Sequence, residues 1–465
     1  MTPRIPLSAL VALLAVSCGS PPARDGGSAE RHVILISVDG LAADYLNDPK
    51  AHMPTIRRLA AEGAVAQGML ASFPTVTWPN HTTLVTGVEP GRHGVLGNSY
   101  FDRQKQEVVR LIPDPDFDKD QIVKVPTVYD VAHRAGLKTA AIIWPASRNA
   151  KTLDWTVPDC MTKELWDKYG TASWLDELRK EGIPVDMQET WCKGLGGGVQ
   201  RDWMYARMTA QVIRKHRPRL VLLHLIEVDH VQHDKGPRTP EAYWVCSYID
   251  DRIRDVVEAV EAAGLRDRAT FLIVSDHGFL PYTKSIFPNV LLKKEGLVRM
   301  EAEKIVERRA FVVTQGGAAY VYVLDRERRA ELLDKLKALF RDLEGVQTVL
   351  EEREFAKVGL LLPSQDPRMP DLILTPKDGY TFNGNVVREK AVLEAIIESG
   401  PLKGAHGHLP DDPRMHATFI ASGSGIRAGA RLGLVRSVDV APTAARLLGL
   451  RMENVEGRVL ESILR

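Results

Sequence analysis

VILISVD, residues 33 to 39, is an aliphatic run interrupted only by Ser37 and closed by Asp39. A strand with one face in water alternates apolar with polar residues. A run without alternation is buried on both faces, as in a parallel sheet covered by helices. The same texture returns in TAAIIW (139–144), LVLLHLIEVD (220–229) and TFLIVSD (270–276). Helical segments separate these runs: MPTIRRLAAEGA after the first, PTVYDVAHRAG before the second, and YIDDRIRDVVEAVEAAG before the last. The order predicts an α/β fold with a largely parallel central sheet covered by helices on both faces.

Outward from this core the organisation follows composition. Residues 31–289 read as the first part of the core and 401–465 as its second part, with GAHGHLP, the strand ATFIASG (417–423) and the helix VDVAPTAARLLG (438–449). Between them, 290–400 reads as a smaller inserted α+β subdomain that shapes the site. FVVTQGGAAYVYVL, RERRAELLDKLKALFRDLEG and DLILTP give strand, helix and strand there.

The first 18 residues carry one arginine and a short apolar run, IPLSALVALLAVS, too short to span a bilayer but suited to a signal peptide. The run ends Leu14-Ala15-Val16-Ser17-Cys18, which resembles a bacterial lipoprotein signal, although Ala15 stands where leucine is usual. Residues 19–30 form a Gly/Pro/Ser-rich tether. The expectation is an exported lipoprotein, held to a membrane by a lipid on Cys18 and facing the periplasm or cell exterior. In an oxidising compartment Cys160 and Cys192 are a candidate disulfide, while Cys246 in a helical stretch reads as a buried thiol. The 465 residues suffice for a large core. With 61 Lys+Arg against 60 Asp+Glu, no surface for duplex nucleic acid is expected.

Asp39, Asp229 and Asp276 end three of the apolar runs. In open parallel sheets ligands sit beyond the carboxyl ends of the strands, so the three carboxylates would converge there. One such aspartate alone is a turn former or a helix cap. These have company: His233 follows Asp229 by four residues, His277 follows Asp276 directly, and GAHGH adds His406 and His408. Mixed carboxylate and imidazole sets are the ligands of zinc-type sites. Two such ions clamp the attacking and leaving oxygens of an in-line displacement at phosphorus, and that chemistry needs a nucleophile.

SFPTVTWPNHTTLVTG (72–87) offers five threonines in sixteen positions. Pro79 and the residues after it read as a helix opening, and each hydroxyl is a candidate helix cap, turn residue or nucleophile.

Taken in order, ISVDGL, MPTIRRLAAEGA, FPTVTWPNHTTLVTGVEPGRHGVLGN, WPAS, EVDHVQHDKGP, VSDHGF, AHGH and VDVAPT with EGRVL resemble the nucleotide pyrophosphatase/phosphodiesterase branch of the alkaline phosphatase superfamily. The similarity runs from about residue 31 to 460. It implies an alkaline-phosphatase-like fold and a metal-dependent hydrolase of phosphodiester or pyrophosphate bonds, acting on small nucleotide-like substrates. Thr77 would be the nucleophile, forming a phospho-threonine that water then releases, while Thr75 would cap the same helix and Thr82, Thr83 and Thr86 would pack within it. Two divalent ions, with zinc the metal favoured by the ligands, would be held by Asp39, Thr77, Asp276 and His277, and by Asp229, His233 and His406. His230 and His408 stand beside ligands. Asn98 would donate to a non-bridging phosphate oxygen with the Trp78 amide, although a Gly-Asn pair also suits a hairpin turn.

The sequence departs from the animal nucleotide-hydrolysing members at two places. Val76 replaces a lysine before the nucleophile, and His224 replaces a base-stacking tyrosine five residues before Asp229. Trp78 and His224 are the candidates for contacting a base. Other readings stay open within the superfamily: a threonine-type alkaline phosphomonoesterase, with Arg148 standing in for an absent Lys-x-Arg, and a phosphonate hydrolase. A sulfatase is disfavoured, since Thr77-Trp78-Pro79-Asn80-His81 lacks both the oxidisable residue and the arginine such enzymes require. A silent binding protein is disfavoured because every ligand position is filled.

Overall fold

The computed structural model describes residues 30–112, 114, 116–194 and 197–465. The signal, tether and lipidation readings lie outside the described residues, apart from Glu30 at the tether's end.

Eight strands form the central sheet: β1 (His32–Val38), β2 (Ala64–Leu70), β3 (Thr139–Trp144), β4 (Trp155–Pro158), β5 (Leu220–Leu225), β6 (Ala269–Val274), β7 (Phe419–Gly423) and β8 (Ala430–Arg436). Their order is β8-β2-β7-β6-β1-β5-β3-β4. β1 is parallel to β5 and β6, β3 to β4 and β5, and β2 to β8. Only β7 runs antiparallel to its neighbours, β2 and β6.

The uninterrupted run in β1 has the predicted cause. Ile34, Ile36 and Val38 enter one core and Val33 and Leu35 the other, and all five are at most 1% exposed. The helices that cover the sheet include α1 (Pro54–Glu62), α2 (Thr77–Thr86), α3 (Val128–Arg134), α4 (Gly197–His216), α5 (Glu227–Lys235), α6 (Pro240–Ala262) and α7 (Val440–Leu447). Side chains of α1, α4 and α6 fill the first core, and those of α2, α3 and α7 the second. The fold is a three-layer α/β/α sandwich.

Between β6 and β7 the chain makes a long excursion. A four-stranded antiparallel sheet (Ala310–Thr314, Ala319–Val323, Leu372–Pro376, Val346–Leu350) packs with helix Arg329–Arg341 around a core of its own. Beside it, strand Leu280–Ile286 lies between Gly379–Phe382 and Ile397–Ala405. That last strand delivers the chain to His406.

Two local expectations change. The apolar run at 220–229 is a strand only to Leu225. Glu227 already belongs to α5, so Asp229 sits in the first turn of a helix and His233 one turn later. Cys160 and Cys192 are both free thiols, not a disulfide, and Cys246 is buried as expected. Among the described residues no helix is long and apolar enough to cross a membrane.

Candidate active site

The carboxyl ends of β1, β5 and β6 are neighbours, and each delivers its ligand candidates within a few residues. Asp276 is 0% exposed. Its Oδ1 accepts from the amides of Gly40 and His277, both at 3.1 Å. With one oxygen tied, Oδ2 is turned inward and has no hydrogen-bond partner. Asp39 is divided in the same way: Oδ2 meets His224 Nε2 at 3.0 Å and Oδ1 is an orphan. Asp229 Oδ1 is a third orphan and His277 Nε2 a fourth.

The imidazoles are aimed by the backbone. Nδ1 of His277 donates to Gly278 O (3.1 Å), of His406 to Thr75 O (3.0 Å), and of His233 to Gly404 O (3.0 Å). A carbonyl on Nδ1 fixes the tautomer that leaves the Nε2 lone pair free for a metal. These nitrogens converge. His406 Nε2 is 3.1 Å from His233 Nε2 and 3.4 Å from Asp229 Oδ1. His277 Nε2 lies 3.1 Å from Asp276 Oδ2 and 3.4 Å from Asp39 Oδ1. Asp39, Asp276 and His277 form one cluster, and Asp229, His277 and His406 another, with ligand atoms in each within 4.8 Å. The two therefore adjoin at His277, whose ring stacks on that of His406 at 3.7 Å.

The electrostatics call for cations. Among the described residues no lysine or arginine pairs with Asp39, Asp229 or Asp276. Burial, then the Asp276 and Asp229 charges, pushes Asp39 well above the usual carboxylate range. Burial opposes ionisation of Asp276 too, but His277, with His81 and His224, holds it far below that range. Burial and the neighbouring His277 and His233 depress His406. Buried carboxylates with orphan oxygens facing imidazole nitrogens are the donor set a divalent ion completes.

Thr77 is the first residue of α2 and 8% exposed. Its carbonyl accepts from His81 Nδ1 (2.9 Å), which is itself 3.6 Å from Asp276 Oδ2, so the threonine stands beside the Asp276 cluster. Threonine-rich α2 has little intrinsic helicity, and all ten of its residues are buried. Thr82 and Thr86 return their hydroxyls to carbonyls one turn back (2.8 Å each) and Thr83 meets His93, as expected of packing residues. Asn80 knots the approach to the helix: its carboxamide bonds Ser72 N and O, Pro74 O and Val76 O at 2.7–3.1 Å.

Several expected roles are replaced. Thr75 does not cap α2. Its hydroxyl donates to His408 O (2.8 Å) and accepts from Gly407 N (3.0 Å), tying the His406 loop to the Thr77 loop. His224 is 2% exposed, bonded to Ile143 O and Asp39, and so props a carboxylate instead of meeting a base. Trp78 is 1% exposed among Val95, Leu111, Ile122 and Val123, which removes it as a stacking surface. Its amide is taken by Asn98 Oδ1 at 3.0 Å, so the Trp78 N–H orients Asn98 and does not face substrate. Arg148 is committed to Asp118 Oδ1 (2.9 Å) and Asp116 O (2.6 Å) and lies over Tyr169. His408 is buried, while His230 is partly exposed beside Glu227 and Arg201.

Other contributors escaped the sequence. Asp202, 0% exposed on α4, accepts from Ile226 N and Glu227 N at 2.9–3.1 Å and so caps the helix carrying Asp229 and His233. Gln232 joins the same helix to Gly40 O (2.9 Å). Gln315 holds Asn98 N (3.0 Å). Asn80, inside the TWPN segment, and Gln232, inside EVDHVQHDKGP, lie within the motifs; Asp202 and Gln315 lie far from them.

The family model described as type I phosphodiesterase / nucleotide pyrophosphatase matches residues 33–408. The chain belongs to that family. Relatives agree along most of its length. An uncharacterized pyrophosphatase/phosphodiesterase of Schizosaccharomyces pombe is 24% identical over 90% of this chain and 77% of its own. Human ectonucleotide pyrophosphatase/phosphodiesterase family member 7 is 24% identical over 97% and 86%, and mouse bis(5'-adenosyl)-triphosphatase is 24% identical over 91% and 79%. Among solved structures, an inactive threonine-to-alanine variant of murine ectonucleotide pyrophosphatase/phosphodiesterase 5, in complex with AMP, superposes with a TM-score of 0.69. It is 20% identical and covers 94% of this chain and 100% of that one. At this identity the likeness establishes the alkaline-phosphatase-like fold.

Proposed function

We propose that this family member hydrolyses small phosphodiesters or pyrophosphates, nucleotide-like ones included, with Thr77 as nucleophile and two divalent metal ions, zinc being the metal its carboxylate and imidazole donors favour. The observation that carries the reading is the convergence of four buried, unpartnered ligand atoms, Asp39 Oδ1, Asp229 Oδ1, Asp276 Oδ2 and His277 Nε2, in two adjoining clusters, with Thr77 linked to Asp276 through His81. Asp39, Thr77, Asp276 and His277 would hold one ion and Asp229, His233 and His406 the other. When bound, the ions supply Lewis-acid stabilisation of the entering and departing oxygens.

The chain's own residues supply the rest. Thr77 Oγ1 gives up its proton and forms a bond to phosphorus as the leaving oxygen departs with its electron pair and takes a proton from solvent, giving a phospho-threonine; water then loses a proton and forms the new P–O bond as Thr77 Oγ1 departs and is reprotonated. Asn98, its Oδ1 engaged by Trp78 N, presents Nδ2 to a non-bridging oxygen. The dipole of α2 favours the phosphoryl group at its N-terminus. The commitment of Arg148 to Asp118 leaves no arginine from that region for a monoester dianion, which favours diesters and anhydrides over the monoesterase reading. Burial of Trp78 and His224 favours a substrate whose base, if present, is not sandwiched there. Export through residues 1–18 and anchoring through Cys18 would place this activity outside the cytoplasm.

The test is Thr77→Ala in the zinc-loaded protein, assayed against bis(p-nitrophenyl) phosphate, p-nitrophenyl thymidine monophosphate and p-nitrophenyl phosphate. Wild type should prefer a diester, and the variant should lose turnover of all three while keeping its metal and its fold. Comparable rates in the variant would remove Thr77 as nucleophile, and a preference for the monoester would move the enzyme to the phosphatase side.

A further inference from the structure

The turn joining strands Ala310–Thr314 and Ala319–Val323 leaves the excursion and wedges between two loops of the active site. Gln315 N closes it by donating to Ala318 O at 2.7 Å. One side of the turn rests on the metal-ligand loop, where Gly317 N donates to His406 O at 2.6 Å. On the other side the Gln315 side chain, 4% exposed, grips the backbone of residues 98–99. Its Oε1 accepts from Asn98 N (3.0 Å) and its Nε2 donates to Ser99 O (2.6 Å).

Missing side chains make this approach possible. A Cβ on Gly97 would come within 2.8 Å of the Gln315 carboxamide, one on Gly407 within 1.8 Å of Gln315 O, and one on Gly316 within 2.4 Å of His406 O. Asn98 is thereby held twice: its backbone by Gln315, and its side-chain Oδ1 by Trp78 N at 3.0 Å. A planar carboxamide with Oδ1 engaged has its Nδ2 fixed in direction. That Nδ2 has no acceptor among the described residues.

We infer that Gln315 is a positioning residue for the proposed reaction, setting the aim of Asn98 Nδ2 at the substrate's non-bridging oxygen without touching the substrate. The inference rests on the role proposed above for Asn98. A carboxamide suits the task because it accepts from one backbone group and donates to the next; glutamate cannot donate to Ser99 O when ionised, and methionine makes neither bond well. The excursion, through this one turn, sets the geometry at phosphorus as well as the walls of the site.

The experiment is a double-mutant cycle on the zinc-loaded full chain with bis(p-nitrophenyl) phosphate: wild type, Asn98→Ala, Gln315→Met and the double variant, with Gln315→Ala as a second truncation. Removal of one oxyanion donor costs about 10²–10³-fold in kcat. Asn98→Ala should fall in that range, and misaiming it through Gln315→Met should cost about tenfold of the same quantity. KM, bound zinc and melting temperature should stay near wild type in Gln315→Met, and the double variant should match Asn98→Ala alone. Orthovanadate, whose equatorial oxygens mimic the transition state, should lose affinity in step with kcat. Multiplying losses in the double variant would overturn the inference, as would loss of zinc or fold in both Gln315 variants, which would assign the residue to structure. A fully active Gln315→Met beside a slow Asn98→Ala would remove Gln315 and leave Asn98. A fully active Asn98→Ala would remove the Asn98 role itself and this inference with it.

Discussion

Replacing Thr75 by valine exchanges one hydroxyl for a methyl group at nearly constant volume. Thr75 is 0% exposed, and its hydroxyl is the partner of both Gly407 N and His408 O. Valine would leave a buried donor and a buried acceptor without partners, each costing about 1–3 kcal/mol, hence about 2–6 kcal/mol together. With an unfolding entropy of about 2 cal/mol/K per residue, a chain of this size would lose about 2–6 °C in Tm. The same bonds hold the loop whose His406 Nδ1 donates to Thr75 O at 3.0 Å. Loss of such outer support lowers metal affinity by about 10–100-fold. Thermal melts in EDTA read the first effect, and zinc titration against a chromophoric chelator reads the second. Thr75→Ser, which keeps both bonds, should behave nearly as wild type in each. If Thr75→Val melts with wild type in EDTA and binds zinc equally well, the hydroxyl does not join the two loops as argued.

Further outcomes follow from the site and its surroundings. Asp229→Ala or His406→Ala should lower bound zinc towards about one equivalent per chain by metal analysis, since each removes a ligand of the same proposed site; unchanged stoichiometry would contradict the ligand set. His93 gives a pH signature. Buried and 0% exposed, it accepts from Val95 N (3.2 Å) and meets Thr83 Oγ1 (3.0 Å), and burial pushes it down to about 3. Its folded value lies below its unfolded one, so its contribution is present above about pH 6.5 and is lost as pH falls towards 3. Chemical denaturation in EDTA should show wild type losing up to about 1.4 kcal/mol per pH unit more than His93→Gln within that window. Parallel slopes would refute it.

The strands were legible because burial on both faces of a sheet excludes polar residues from consecutive positions. Ile34 and Leu35 go to different cores, and each must be aliphatic. The convergence of Asp39, Asp276, His277 and His406 was legible because residues that follow neighbouring strands meet at one edge of the sheet, where short-range order suffices to place them. The less legible part concerns side chains whose surroundings come from far along the chain. Trp78 and His224 have the right residue types to contact a base, yet Leu111 and Ile122 cover the one and Asp39 and Ile143 engage the other. Periodicity carries no information about that. Asp229 was placed correctly among its partners but on the wrong element, because a buried helix turn and a buried strand end look alike over four residues.

By itself, then, the sequence determined the parallel α/β core, the residue types gathered at its carboxyl edge and the Thr77 segment, because each depends on neighbours within a few positions. Tertiary structure alone decided that Thr75 ties loops instead of capping a helix, and that Gln315 grips Asn98. Those pairs are separated by 333 and 217 positions. Hydrogen bonds across such distances depend on how two layers and an excursion pack together, and packing is a property of the whole chain.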